Sequence, residues 1–132
     1  MGQTKSLNEV FLLVIFSLFF SCSLPDDFQV DQDIFLSHVA SKNYIVVDVR
    51  TAEEYLRGHF EGCATIDFYE PNFLSKFKFI SSEVSLVLYC NDGTRSAEAL
   101  KILKEEYGFT KISILFGGIE HWPDLSTFLI TN

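Results

Sequence analysis

Two continuous apolar runs constrain this chain more than any other feature: YIVVDV at residues 44–49 and EVSLVLYC at residues 83–90. Both are rich in β-branched and aliphatic residues and lack the polar alternation of a half-exposed strand. That is the pattern of strands buried on both faces of a parallel sheet. Helix-patterned segments follow each run. TAEEYLRGHF opens with Thr51 as N-cap and Glu54 three residues on, a capping box, and Gly58 ends it. RSAEALKILKEEYG carries Ala97, Leu100, Leu103 and Tyr107 along one stripe, with Ala99 and Ile102 beside it and Gly108 as the stop. QDIFLSHVASKN suits a short amphipathic helix with Ile34, Phe35, His38 and Val39 on its apolar side. CATIDF reads as a short strand, PNFLSKFKFI as a helix with Pro71 in its first turn, and KISILF as a last strand. GGIEHW is a turn into a helical stretch that Pro123 breaks. The alternation predicts βαβ units with right-handed crossovers, hence an α/β fold: a mostly parallel central sheet with helices on both faces. Sites in such sheets form outside the carboxyl ends of the strands, and Cys90 stands at one of those ends.

A chain of 132 residues with 14 Phe has material for one compact domain and its core. The formal charge of −8 and the lack of any basic patch exclude a nucleic-acid surface, and the plain reading of the acidity is a solvated exterior. The N-terminus reads differently. Lys5 precedes an apolar run from Val10 to Phe20 that would form a helix of only ~16 Å, about half the hydrocarbon thickness of a bilayer. This fits a secretory signal core better than a membrane span. Ser21-Cys22 resembles the lipobox of bacterial lipoproteins, whose cysteine is acylated and becomes the new N-terminus, although Phe19 and Phe20 depart from the aliphatic and small residues usual there. Secretion with simple cleavage, an uncleaved anchor, and N-myristoylation at Gly2 of MGQTKS are the alternatives. The expected division is a signal over residues 1–22 with lipidation at Cys22, a short tether over 23–30 containing Pro25, and the folded domain over 31–132. The expected location is the periplasm or cell envelope, on a membrane through the lipid.

The stretch VLYCNDGTRSAEA carries the chemistry. By residue type, a lone cysteine at a strand end is more often a packed small hydrophobe than a nucleophile. Three neighbours argue otherwise. The loop leads directly into a strong helix, whose first N–H groups and partial positive charge favour an anionic sulfur. Gly93 permits the backbone conformation that an amide cradle needs. Arg95 supplies a permanent charge to brace the loop or bind an anion.

VVDVRTAEEYLRGHFEGCATID and LYCNDGTRSAEALKILKEEYGFTKISILFGGIEHW together resemble the two signature segments of the rhodanese family of sulfurtransferases. The likeness runs from about Phe28 to Trp122. It implies that Cys90 accepts a sulfane sulfur as a persulfide, that the amides of Asn91, Asp92, Gly93, Thr94 and Arg95 hold that anion, and that Asp48, Arg50 and Ser96 support the site. The partners implied are a small sulfur donor such as thiosulfate, a persulfide or a polysulfide, and a thiol or cyanide acceptor. No cofactor is implied, and the expected state is a monomer. Related phosphatases and arsenate reductases use seven residues from cysteine to arginine, whereas Cys90 to Arg95 is six, a cup better sized for one sulfur atom. A non-catalytic sulfur-carrying or docking module is the other alternative.

Asp92 departs from the pattern, because thiosulfate-using members often carry neutral or basic residues there. A carboxylate a few ångströms from the sulfur costs an incoming dianion on the order of 1 kcal/mol or more, which favours a persulfide or polysulfide donor. Cys63 stands where the family usually has Ala; as it begins a strand and Cys90 ends one, the two are expected at opposite sheet edges with no disulfide between them. His38, His59 and His121 have no metal-ligand spacing, with each other or with a cysteine. Trp122 and the Phe residues read as core.

Overall fold

The computed structural model describes residues 26–131; the expected signal, Gly2 and Cys22 lie outside the described residues. A five-stranded sheet forms the centre. In chain order the elements are β1 (Gln29–Val30), α1 (Gln32–Ala40), β2 (Tyr44–Asp48), α2 (Ala52–Arg57), β3 (His59–Phe60), β4 (Ala64–Thr65), α3 (Phe73–Lys76), β5 (Ser85–Tyr89), α4 (Thr94–Tyr107), β6 (Ile112–Leu115) and β7 (Leu129–Ile130). The sheet order is β1-β6-β5-β2-β4, with every pairing parallel. β3 and β7 form a separate antiparallel ribbon.

The two apolar runs are the paired central strands, with Asp48 in register with Tyr89. Because side chains alternate along a strand, each run feeds two cores. Val47, Val49, Leu86, Leu88 and Cys90 enter the core beneath α4, where Ala99, Leu100 and Leu103 are buried with Phe73, Phe77 and Phe109. Val46, Val87 and Tyr89 enter the core on the other face with Phe35, Phe60 and Leu125. The rings of Phe35, Phe60 and Tyr89 meet edge to face at centroid separations of 5.1–5.7 Å, the preferred aromatic geometry. Among the described residues no helix is long and apolar enough to cross a membrane.

The chain leaves β2 towards β4 on one side and leaves β5 through α4 towards β6 on the other. The carboxyl ends of β2 and β5 therefore flank the point where the topology reverses, the place where open α/β sheets form their crevices.

Several elements differ from the sequence expectation. Asp26–Phe28 forms a short 3-10 turn, and Gln29–Val30 pairs with Ile114–Leu115, so residues 26–30 belong to the fold rather than to a tether. Edge pairing supplies what two residues of pattern could not announce. In α1 the buried contact is Phe35, with Leu36 and Val39 packed beside it, while Ile34 is 47% exposed. Pro71 precedes the cap of α3 instead of lying in its first turn. The helical stretch after Gly117-Gly118 is a 3-10 turn, Ile119–His121, that ends at Trp122 as Pro123 was expected to make it; beyond the expectation, Pro123 opens a further 3-10 segment, Pro123–Phe128, where its missing N–H goes unneeded.

Candidate functional site

Cys90 follows β5 directly and is fully buried. Its Sγ accepts the Gly93 N–H at 3.2 Å and lies 3.5 Å from Ser96 Oγ and 3.9 Å from Asp92 Oδ1. Gly93, at φ +88°, lets the chain turn back over the sulfur and start α4 at Thr94. The 14 residues of α4 place their positive end at this sulfur. Ser96 is also fully buried and donates to Gly93 O at 3.1 Å, tying the helix start to the loop.

The loop is held from below by the turn after β6. Ile119 N donates to Cys90 O at 3.0 Å and Glu120 N to Asn91 O at 2.9 Å. Gly118 makes this approach possible, since a Cβ there would stand 2.3 Å from Asn91 O.

Arg95 does not point into the cleft as a free cation. Its Nη1 and Nη2 donate to Glu54 Oε2 and Oε1 at 2.7 and 2.9 Å, a bidentate pair across the two strand ends. Glu54 also accepts Asn91 Nδ2 at 2.7 Å and the Thr51 N–H at 2.9 Å, the latter closing the expected capping box. One carboxylate thus caps α2, orients Asn91 and fixes Arg95. The Arg95 guanidinium and then Thr51 hold the Glu54 carboxyl down at about 2, against the opposing effect of burial. Arg95 is raised in return, chiefly by its bonds to Glu54. Sequence spacing offered Glu54 only as a cap, because its second partner lies 41 residues away.

Asp48 and Arg50 form a buried pair at 2.7 Å beneath the loop. Arg50 donates further to Gly58 O at 2.6 Å and to Asn91 Oδ1 at 3.3 Å, so Asn91 bridges the Asp48–Arg50 and Glu54–Arg95 pairs. Burial works against the Arg50 charge, but the Asp48 carboxylate outweighs it and raises the group. Tyr89 Oη donates to Asp48 Oδ2 at 2.7 Å and reaches Cys63 Sγ at 3.4 Å. Burial, then the Asp48 charge, pushes the Tyr89 phenol well up.

Asp92 is exposed and turns back on its own loop. Its Oδ1 accepts the Thr94 hydroxyl at 2.7 Å and the Thr94 N–H at 3.0 Å, and these two bonds lower its carboxyl. Of the five amides expected to hold the sulfur, that of Gly93 is bonded to Sγ, while the Thr94 N–H turns to Asp92 and the side chains of Asn91 and Arg95 act as braces.

Cys63 requires a correction. β4 pairs only with the carboxyl-terminal end of β2, Ala64 opposite Val47 and Thr65 opposite Asp48, so Cys63 is not at the far edge of the sheet. The sheet itself separates the cysteines: Cys90 packs in the core beneath α4 and Cys63 in the core on the opposite face. Both are free thiols. Burial pushes the Cys63 thiol up, more than its bond to Tyr89 lowers it. Of the histidines, His38 stacks on Tyr44, His59 on Tyr55, and His121 meets Trp122 edge-on. Among the described residues no group of three His, Cys, Asp or Glu could hold a metal.

Comparison with known proteins follows the same outline. The profile of the rhodanese-like domain matches residues 31–124. Rhodanese-like domain-containing protein 17 of Arabidopsis thaliana is 31% identical over 91 residues, 60% of this chain and 58% of that protein. The tRNA uridine(34) hydroxylase of Aster yellows witches'-broom phytoplasma is 29% identical over 89 residues, 64% of this chain but 29% of that enzyme. The match thus spans less than two thirds of either relative. The crystal structure of a rhodanese-related protein from Thermoplasma volcanium superposes with a TM-score of 0.67 at 23% identity, covering 79% of this chain and 98% of that one, a likeness of fold.

Proposed function

Because the chain belongs to the rhodanese-like domain family, we propose that it is a sulfurtransferase working through Cys90. The observation that carries the reading is the Gly93 N–H bonded to Cys90 Sγ at the start of α4, inside a six-residue loop. The fixed Gly93 amide and the helix's positive end stabilise charge on sulfur without reorganising during reaction. Cys90, as thiolate, attacks the outer sulfur of a donor R–S–SH. The donor's S–S bond breaks, R–S⁻ leaves, and Cys90 holds the sulfane sulfur as a persulfide that keeps the proton. An acceptor thiolate attacks that outer sulfur, departs as a new hydropersulfide and restores the Cys90 thiolate. Asn91, Arg95, Asp48 and Arg50 act as positioning residues, since their bonds fix the loop and do not reach the sulfur.

Complete burial of Cys90 favours a second reading, a sulfur-carrying or docking module whose thiol opens only to a partner protein. Turnover separates the two. The sulfurtransferase transfers sulfur repeatedly from thiosulfate or a small hydropersulfide to cyanide or a thiol, and Cys90→Ser abolishes it. Failure with every donor, while Cys90 resists alkylation, supports the module instead. The six-residue loop argues against phosphatase or arsenate reductase chemistry. The hydroxylase activity belongs to a protein of which this chain covers 29%, and the acidic cleft beside the Cys90 loop opposes a polyanionic RNA. Export with acylation at Cys22 is a separate part of the proposal; the mass of the native N-terminal peptide tests it.

A further inference from the structure

The cleft beside the Cys90 loop has a volume of about 460 Å³, and among the described residues its lining holds four carboxylates, Glu53, Glu54, Asp92 and Glu120, against one cation, Arg95. That cation is already matched, since both terminal nitrogens of Arg95 lie on Glu54. Glu53 accepts a bond from Arg57, but both side chains are at least 70% exposed, and such surface pairs screen each other weakly. Asp92 is bonded to neutral donors, the Thr94 N–H and hydroxyl and, at 3.9 Å, the Cys90 thiol itself, and to no cation. Asp92 both lines the cleft and stands 3.9 Å from Sγ, so a donor whose outer sulfur meets Sγ brings its charge within a few ångströms of the Asp92 carboxylate.

Resting on the sulfur-transfer reading above, the geometry points to a charge filter. Asp92, backed by Glu120 and Glu53, restricts Cys90 to hydropersulfide donors with a cationic flank, of the class of aminothiol hydropersulfides, and turns away the dianion thiosulfate. The Cys90 thiolate attacks the outer sulfur of ⁺H₃N–R–S–SH; the donor's S–S bond breaks, the aminothiolate leaves, and the outer sulfur with its proton remains on Cys90. During this step the ammonium group stays in the cleft beside Glu53 and Glu120. An oxyanion would instead bring its charge against Asp92, and no unmatched cation in the lining would offset the repulsion.

The test compares kcat/KM of the full chain for three probes: thiosulfate, cysteamine hydropersulfide, and 3-mercaptopropionate hydropersulfide, which has similar length and the opposite charge. The cationic hydropersulfide is expected to exceed the anionic one by about tenfold at low salt, as like and opposite charges about 6 Å apart each contribute about threefold in a water-like medium, and by less as salt is added. Asp92→Asn, which keeps an oxygen to accept from Thr94, should narrow that ratio by about fivefold and raise kcat/KM for thiosulfate by at least as much. Glu120→Gln, on the rim, should act in the same direction with smaller size, and it decides the matter if Asp92→Asn fails to fold. Equal wild-type rates for the two hydropersulfides, or a ratio that neither substitution changes, would overturn the filter and leave sulfur transfer standing. No turnover of any probe by the wild type would overturn the sulfur-transfer reading, and the filter with it.

Discussion

Replacing Glu54 with Gln removes the charge on which the Cys90 loop closes. In the native fold both carboxylate oxygens are engaged, by Arg95, Asn91 and Thr51. Gln would turn an NH₂ group towards the guanidinium and leave Arg95 without its anion, in a place where the two side chains are only 12% and 20% exposed. Two routes give the size. Holding the Glu54 carboxyl at about 2 against an ordinary 4.5 corresponds to about 3 kcal/mol at neutral pH. Stranding one partner of a buried pair costs about 3–5 kcal/mol, and partial exposure puts this pair at the low end. Since the folded pKa is depressed, this stability is fully present above 4.5 and is lost as the pH falls towards 2. Urea unfolding at neutral pH should therefore shift to a midpoint lower by about 1–2 M in Glu54→Gln. As the pH is lowered through that window, the wild-type and variant curves should converge. A gap under about 0.5 kcal/mol at neutral pH, typical of a surface pair, would refute the reasoning. So would a large gap that acid leaves unchanged, because it could not come from the charge.

Two further outcomes follow from the same geometry. Gly118→Ala puts a methyl group 2.3 Å from Asn91 O at φ +67°, so thermal unfolding should show a loss of at least about 2 kcal/mol together with loss of Cys90 chemistry; a variant as stable and active as the wild type would mean that the turn does not hold the loop. Cys63, with its thiol pushed up by burial and a sheet between it and Cys90, should alkylate slowly at neutral pH and form no intramolecular disulfide under mild oxidation, and Cys63→Ala should leave sulfur transfer intact. Peptide mapping that finds a Cys63–Cys90 bridge would contradict this.

The parts of the fold legible in the sequence were those long enough to carry a pattern. YIVVDV and EVSLVLYC could hardly be anything but buried parallel strands, and α4 announced itself by its stripe and its terminal glycine. The pairs Gln29–Val30, His59–Phe60 and Leu129–Ile130 were not legible, because a two-residue strand has no period and exists only through its tertiary partner. In the site, Cys90 and its loop stood together in the chain and could be read locally. The role of Glu54 could not, since its capping box accounted fully for it within α2 while Arg95 approached from the far strand end. Cys63 was misplaced for a related reason: local sequence said that it begins a strand, and only the register showed that the strand starts near the carboxyl end of the sheet.

The central claim is that Cys90 carries sulfur. Intact-mass and peptide mass spectrometry of the purified protein, after mixing with a hydropersulfide and again after adding a thiol acceptor, tests it most directly. The account predicts a gain of one sulfur atom on the peptide containing Cys90, discharged by the acceptor and absent in Cys90→Ser. A sulfur gained at Cys63 in place of Cys90, or no gain with any donor, would contradict it.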